Sequence, residues 1–259
     1  NWIHTTTDAH VDSSKAMKTG ALTIDAGNHS NATIGVGTGA ISNTAVGASV
    51  AVMVNDSEVK ASLSGDAKKE KTIEADGISV KADNVYNGSA KDEASDSTAK
   101  TVAVGFAAGA SKFAGSGSVT VNVISQKADA SIGKGNYQAG NQGVDVEAKN
   151  TARLFGLAGG LGINLGGTGI GAAADVQTYK GHTYASIEDG AKLSKASSVR
   201  VNAESEEDLT SVAATIATGD TFAGAGAAGL HVISTDTKAY IGNQEDKDVT
   251  DAGKAELIE

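Results

Sequence analysis

A short phrase, Ala-x-(Ile/Leu/Val) set in alternating strand-like sequence, occurs five times along the chain. The copies are Ala9-His10-Val11, Ala61-Ser62-Leu63, Ala130-Ser131-Ile132, Ala185-Ser186-Ile187 and Ala239-Tyr240-Ile241. Three of the four intervals between them are nearly equal, and the one from Ala61 to Ala130 is longer. Self-similarity at a near-constant spacing restricts the fold more than any composition does, because a unit that cannot bury its own apolar face must stack on its neighbours.

A second phrase follows the first wherever the chain allows: Leu22-Thr23-Ile24-Asp25-Ala26, Ile78-Ser79-Val80-Lys81-Ala82, Val144-Asp145-Val146-Glu147-Ala148 and Val199-Arg200-Val201-Asn202-Ala203. Successive side chains of a strand point to opposite faces. Stacked in register, these strands place Leu22, Ile78, Val144 and Val199 in an inner column. Asp25, Lys81, Glu147 and Asn202 then form an outer column of mixed sign, which limits like-charge repulsion. A third strand type is rich in glycine and alanine, as in Ile34 to Gly37, Val102 to Phe106, Leu154 to Leu157 and Val212 to Ile216. Apolar or tiny on both faces, it is expected to be buried on both sides, its glycines allowing close backbone approach. The fourth type restores β-branched alternation, as in Val50 to Val54, Val119 to Val123, Ala172 to Val176 and Leu230 to Ile233.

No stretch shows a sustained helical period with caps. The expected fold is therefore all-β: an elongated right-handed parallel β-helix, or solenoid, whose hand follows the rule for parallel crossovers. Repeats of about 55 residues are expected to make about two coils each, giving a rod roughly 45 to 55 Å long at ~4.8 Å per coil. The repeats run approximately 1–54, 55–123, 124–178 and 179–232, with 233–259 truncated, in one solenoid fragment. The longer interval before Ala130 predicts insertions around Asp66 to Lys71 and in Asp83 to Thr98, the latter being the expected protruding loop near 83–98. Because the chain opens at Asn1-Trp2 inside a repeat and ends soon after the fifth phrase, it is expected to be a piece of a longer repeat protein. Its last phrase should place Ala239 and Ile241 inward over Ala185 and Ile187, with Tyr240 exposed above Ser186 and an unpaired, association-prone edge.

Composition narrows the alternatives. The chain has 33 Gly, no Pro, no Cys and 4% aromatic residues. A string of immunoglobulin-like sandwiches would need buried tryptophans and regular turn punctuation, and only Trp2 is present. A closed membrane barrel would need aromatic girdles and an apolar outer band. A net charge of −10 with only Arg153 and Arg200 as arginines argues against nucleic acid or an anionic membrane as partner.

Candidate chemistry is sparse. Gly159 to Leu165 resembles one unit of a calcium-binding β-roll but has Asn164 where Asp is usual; the alternative is a tightly packed strand and turn. The acidic groups Asp92/Glu93/Asp96, Glu204/Glu206/Glu207/Asp208 and Glu245/Asp246/Asp248/Asp251 lack EF-hand spacing and read as solvated loops. His4, His10, His29, His182 and His231 are scattered across repeats with no partner at metal-ligand spacing. No nucleophile turn or triad can be nominated. No catalytic, cofactor-binding or metal residue is therefore assigned, calcium remaining the alternative to no cofactor.

The phrases Leu230 to Gly242 and Val119 to Ser125 resemble the repeats of leukotoxin-type filamentous adhesins of anaerobic bacteria such as fusobacteria. The likeness extends as a pattern over nearly the whole chain; the third repeat departs from it at Val176 to His182. The resemblance implies a large secreted or surface-attached bacterial β-solenoid, exported by an autotransporter or two-partner route and adhering to host cells. It implies a stalk and adhesion segment, not an enzyme. The expected partner is a host surface protein or glycan, with outer-membrane attachment only through regions outside this chain. Contacts are expected from the Asp83 to Thr98 loop and the outward residues of the second phrase. The alternatives are a mechanical spacer carrying a distal toxin or binding tip, and a carbohydrate-active β-helix enzyme.

Overall fold

A computed structural model describes residues 1–66, 71–86 and 99–242, and the backbone of 256–258. Among them there is no helix. The strands are β1 (Trp2–Ser13), β2 (Met17–Lys18), β3 (Ala21–Ser30), β4 (Thr33–Gly65), β5 (Thr72–Tyr86), β6 (Ala99–Ile132), β7 (Gly135–Asn164), β8 (Thr168–Ile187), β9 (Ala191–Ser194), β10 (Val199–Thr218), β11 (Phe222–Ile241) and β12 (Glu256–Ile258). All twelve belong to one sheet whose ladders are parallel. β-Branched residues in alternation and the absence of proline let backbone ladders run long without a missing donor.

The sheet curls until it is nearly closed, with two walls face to face. One wall contains β3, β5, β7, β10 and the first parts of β4 and β6; the other contains β1, β8, β11 and the later parts of β4 and β6. At the bend between walls the β4–β6 register shifts between Ser42 and Thr44. Side chains meet across the interior. Tyr86 Oη donates to Met53 Sδ at 2.5 Å, Thr101 Oγ1 to Asn122 Oδ1 at 2.5 Å, and Asn84 Nδ2 to Ser57 O at 3.1 Å.

The register aligns the repeated phrases. Ala61 pairs with Ala9 on one side and Ala130 on the other, Ala130 pairs with Ala185, and Ala185 with Ala239. The second phrase aligns as Leu22, Ile78, Val144 and Val199. Paired strands are therefore one whole spacing apart, not half of one. The expectation of two coils per repeat is corrected: the first and second phrases face each other across the interior instead of stacking.

The insertions are also sharpened. Ser30 pairs with Tyr86, whereas Thr33 pairs with Lys100, so the extra residues of this passage lie after Tyr86. Asp83 to Tyr86 belong to β5 and pair with Gly27 to Ser30 and with Lys149 to Ala152; the loop expected near 83–98 does not begin at Asp83. Residues 87–98 and 67–70 lie outside the described residues.

Three apolar clusters follow one another between the walls. The largest joins Val59, Ala61 and Leu63 to Ile78, Val80 and Ala82 and to their counterparts in adjacent layers. Full burial of each large aliphatic side chain contributes about 1.5 to 3 kcal/mol. A middle cluster holds Met53, Tyr86, Ile124, Leu154 and Tyr179, and a small one near the bend holds Ala45, Ala107 and Ala114. The side chains shrink toward the bend because the walls converge there. A Cβ on Gly105 would overlap Gly117 O and one on Gly162 would overlap Ile170 O, so close approach of the backbones requires glycine.

The third strand type is buried on one side only. Ala103, Gly105 and Ala107 face the interior, while Val104 is 41% and Ile216 62% exposed on the outside. At the last passage Tyr240 pairs with Ser186 as expected but is half-buried, and Ile241 is 58% exposed, no strand among the described residues covering β11 there.

Candidate functional site

The outward positions of the first and second phrases carry a lattice of paired charges. Lys81 Nζ lies 2.8 Å from Glu147 and 3.5 Å from Asp145. On the other wall, Glu58 accepts from Lys60 at 2.6 Å and from Lys127 at 3.1 Å, and Lys127 also reaches Asp129 at 2.9 Å. The β ladder sets these distances by bringing outward residues of adjacent passages within about 5 Å. The Lys81 ammonium holds the Glu147 carboxyl below the usual carboxylate range, and Lys60 with Lys127 does the same to Glu58. Burial pushes the Asp83 carboxyl up, against the opposing pull of His29 and Lys149.

The scattered candidates are not brought together. His4 pairs with Asp56 at 3.2 Å, His10 with Asp8 at 3.2 Å, and His29 with Asp83 at 3.7 Å; His182 stacks edge-on against Tyr184, and His231 lines a cleft at the last passage. Glu204 and Glu206 lie on β10, bonded to Lys149 at 2.9 Å and Arg153 at 3.0 Å. Glu207 and Asp208 follow on the same strand, so this acidic group is not the loop expected of it. Asp92, Glu93, Asp96, Glu245, Asp246, Asp248 and Asp251 lie outside the described residues. Gly159 to Asn164 form the end of β7; Gly160 and Gly162 pack against the opposite backbone, and Asn164 Oδ1 accepts from Gly166 N at 3.0 Å. That run is thus a packed strand closing in a turn. Among the described residues no group of three His, Cys, Asp or Glu is placed to hold a metal ion.

Two features lie beyond the candidates. A polar row runs through the interior between the middle cluster and the bend: Thr101, Thr120, Asn122, Asp175 and Gln177 are all buried. Thr120 Oγ1 donates to Asp175, and Gln177 Nε2 donates to Asp175 Oδ2 at 2.9 Å and Thr210 O at 2.7 Å. Outside the same part of the walls, the surface is apolar. Val50 and Val52 are 58% and 43% exposed, and Val119, Val121 and Val123 point the same way one passage on. Polarity thus reverses along the walls, from charged outside and aliphatic inside to apolar outside and polar or tiny inside.

The last passage leaves a cleft of about 280 Å³ between β10 and β11, lined by Ser211, Ala213, Gly229 and His231 among others. It opens onto the interior between the walls. No protein-family model, curated protein or solved structure matches the chain.

Proposed function

We propose that the chain is a segment of a right-handed parallel β-solenoid in a bacterial secreted or surface filament, with one coil per whole repeat, serving as a stalk that also contacts host surfaces. One observation carries the reading: the recurring phrases fall into columns, with Ala9, Ala61, Ala130, Ala185 and Ala239 in one row of parallel ladders. Such an arrangement extends by adding passages without altering those beneath. Its charged lattice, rigid and of mixed sign, suits recognition of a host protein or glycan by many weak polar contacts.

Lengthening the chain by whole repeats tests the architecture. Electron microscopy and small-angle scattering should show about 4.8 Å of added length per repeat, whereas an increment of about 9.6 Å would restore the two-coil arrangement. No elongation would remove the solenoid. Host contact is tested by reversing Lys81 and Lys149 to Glu in the intact filament. Reduced cell binding supports adhesion through this lattice, whereas unchanged binding favours a mechanical spacer. Release of reducing or unsaturated sugar ends would instead indicate a carbohydrate-active enzyme.

A further inference from the structure

The apolar outer surface of the wall that contains β8 and β11 is longer and more continuous than its counterpart. Outward positions from Phe113 to Val123 on β6, and their registered partners on β4, β8 and β11, include no Asp, Glu, Lys or Arg. Charge returns at the next outward column, where Asp56, Ser125, Lys180 and Ser234 align. The surface also has relief. Val52, Val121, Val176 and Leu230 form a ridge, while Ala48, Gly117, Ala172 and Gly226, earlier on the same strands, form a trough. Between them runs the column Val50, Val119, Ala174 and Ala228.

We propose that this surface is the interface with a second copy of the chain, packed wall to wall about a two-fold axis that lies along the Val50–Val119–Ala174–Ala228 column. That axis reverses strand direction in the partner and places each copy's ridge in the other's trough, so the surface is complementary to itself. Ten strand steps at ~3.3 Å and four strands at ~4.8 Å give roughly 600 Å² per copy. About 1,200 Å² in total is the lower bound of a stable, specific interface. The surface is uncharged, so the chain's net charge of −10 opposes pairing only from charged groups at and beyond its border. The proposal adds a lateral partner to the filament reading and is distinct from end-to-end pairing through strand edges.

The chain has no cysteine, so single introduced cysteines report position cleanly. In the full chain, Val119→Cys lies beside the axis and should give a disulfide-linked dimer under mild oxidation. Mixed Val121→Cys and Gly117→Cys chains should cross-link to each other in preference to themselves. Val121→Asp combined with Val176→Asp should abolish the Val119→Cys cross-link and reduce dimer at micromolar concentration at least tenfold by sedimentation, with the far-ultraviolet spectrum unchanged. Leu161→Asp, outward on the opposite wall, should leave both readouts intact. The proposal is overturned if the native chain is monomeric at that concentration, if the Val119→Cys dimer survives the paired aspartates, or if a monomer floats with phosphatidylcholine vesicles and loses that binding with them. Retained folding in the Leu161→Asp protein separates interface loss from misfolding.

Discussion

Gly156 lies directly against the buried carboxylate of Asp175: a Cβ at residue 156 would overlap both carboxylate oxygens. The glycine makes room for an acceptor on the opposite wall, which Thr120 and Gln177 of that same wall satisfy. Gly156→Ala should therefore destabilise the fold by about 1 to 3 kcal/mol, the usual cost of overpacking a filled interior. Urea unfolding measures it. An unchanged unfolding midpoint would mean that the walls separate easily here.

Asn84 ties the walls together farther from the bend. Its Nδ2 donates to Ser57 O and Lys127 O, each at 3.1 Å, and its Oδ1 accepts from Asn28 Nδ2 at 3.0 Å and Ser57 Oγ at 3.1 Å. Asn84→Leu leaves these groups unpaired in a buried site, at a cost of about 2 to 4 kcal/mol. Asn84→Asp turns both donors into acceptors facing carbonyls and should cost more still. Equal stabilities for the two variants in denaturant titration would contradict this account.

Stability should respond to acid with a definite sign. Glu147 and Glu58 have carboxyl groups held below their ordinary value by lysine partners. Their contribution is present above the unfolded value of about 4.5 and is lost as pH falls through the lower folded value. The thermal midpoint should thus stay level on this account down to about pH 4.5 and fall below it. Lys81→Met should lessen the fall; an unchanged acid limb would show that these pairs do not govern it.

Asp83 has the opposite sign. Burial raises its carboxyl above 3.8, so the folded protein binds this proton more tightly, and stability is lost as pH rises through the folded value. Asp83→Asn should raise the midpoint at neutral pH, and the gain should disappear in acid as the native carboxyl is protonated. A lower midpoint at neutral pH would show that the pairing with His29 outweighs the burial.

Glu58 sits between two lysines, bonded to Lys60 and Lys127. Glu58→Lys would gather three cations on one patch and should destabilise by about 0.5 to 1 kcal/mol in low salt. Half-molar sodium chloride should remove most of the difference, because exposed charges are screened within a few ångströms at that strength. A salt-independent loss would point to packing instead of charge.

Much of this arrangement was legible from the alternation of single residues. Ala61 beside Ala9 and Ala130, and Lys81 between Asp25 and Glu147, follow from matching phrases at matching spacing. Which phrases pair was not legible, because two strand phrases in each repeat look alike whether they stack or face each other; the ladder register and cross-wall pairs such as Asn84 with Ser57 distinguish these. Which face of the Val-x-Val strands is outward was present in the sequence as parity. Ala130 and Ile132 point inward, and counting back by twos along the unbroken β6 puts Asn122 and Thr120 inside and Val121 outside. Hydrophobicity alone reverses that assignment, since it places valine within and asparagine without. The interior narrows toward the bend, where a Cβ on Gly105 would overlap the Gly117 carbonyl.

The register of whole passages sets how such a gene can change. Ala61 stands between Ala9 and Ala130, each one passage away. On the proposed solenoid reading, an in-frame duplication of one passage would insert a complete layer wherever its endpoints fall, and every column above and below would keep its partners. A duplication of half that length would set the first phrase over the second and oppose aliphatic to glycine columns throughout. On that reading recombination would alter the reach of the protein in steps of one layer, and intermediate lengths would misfold.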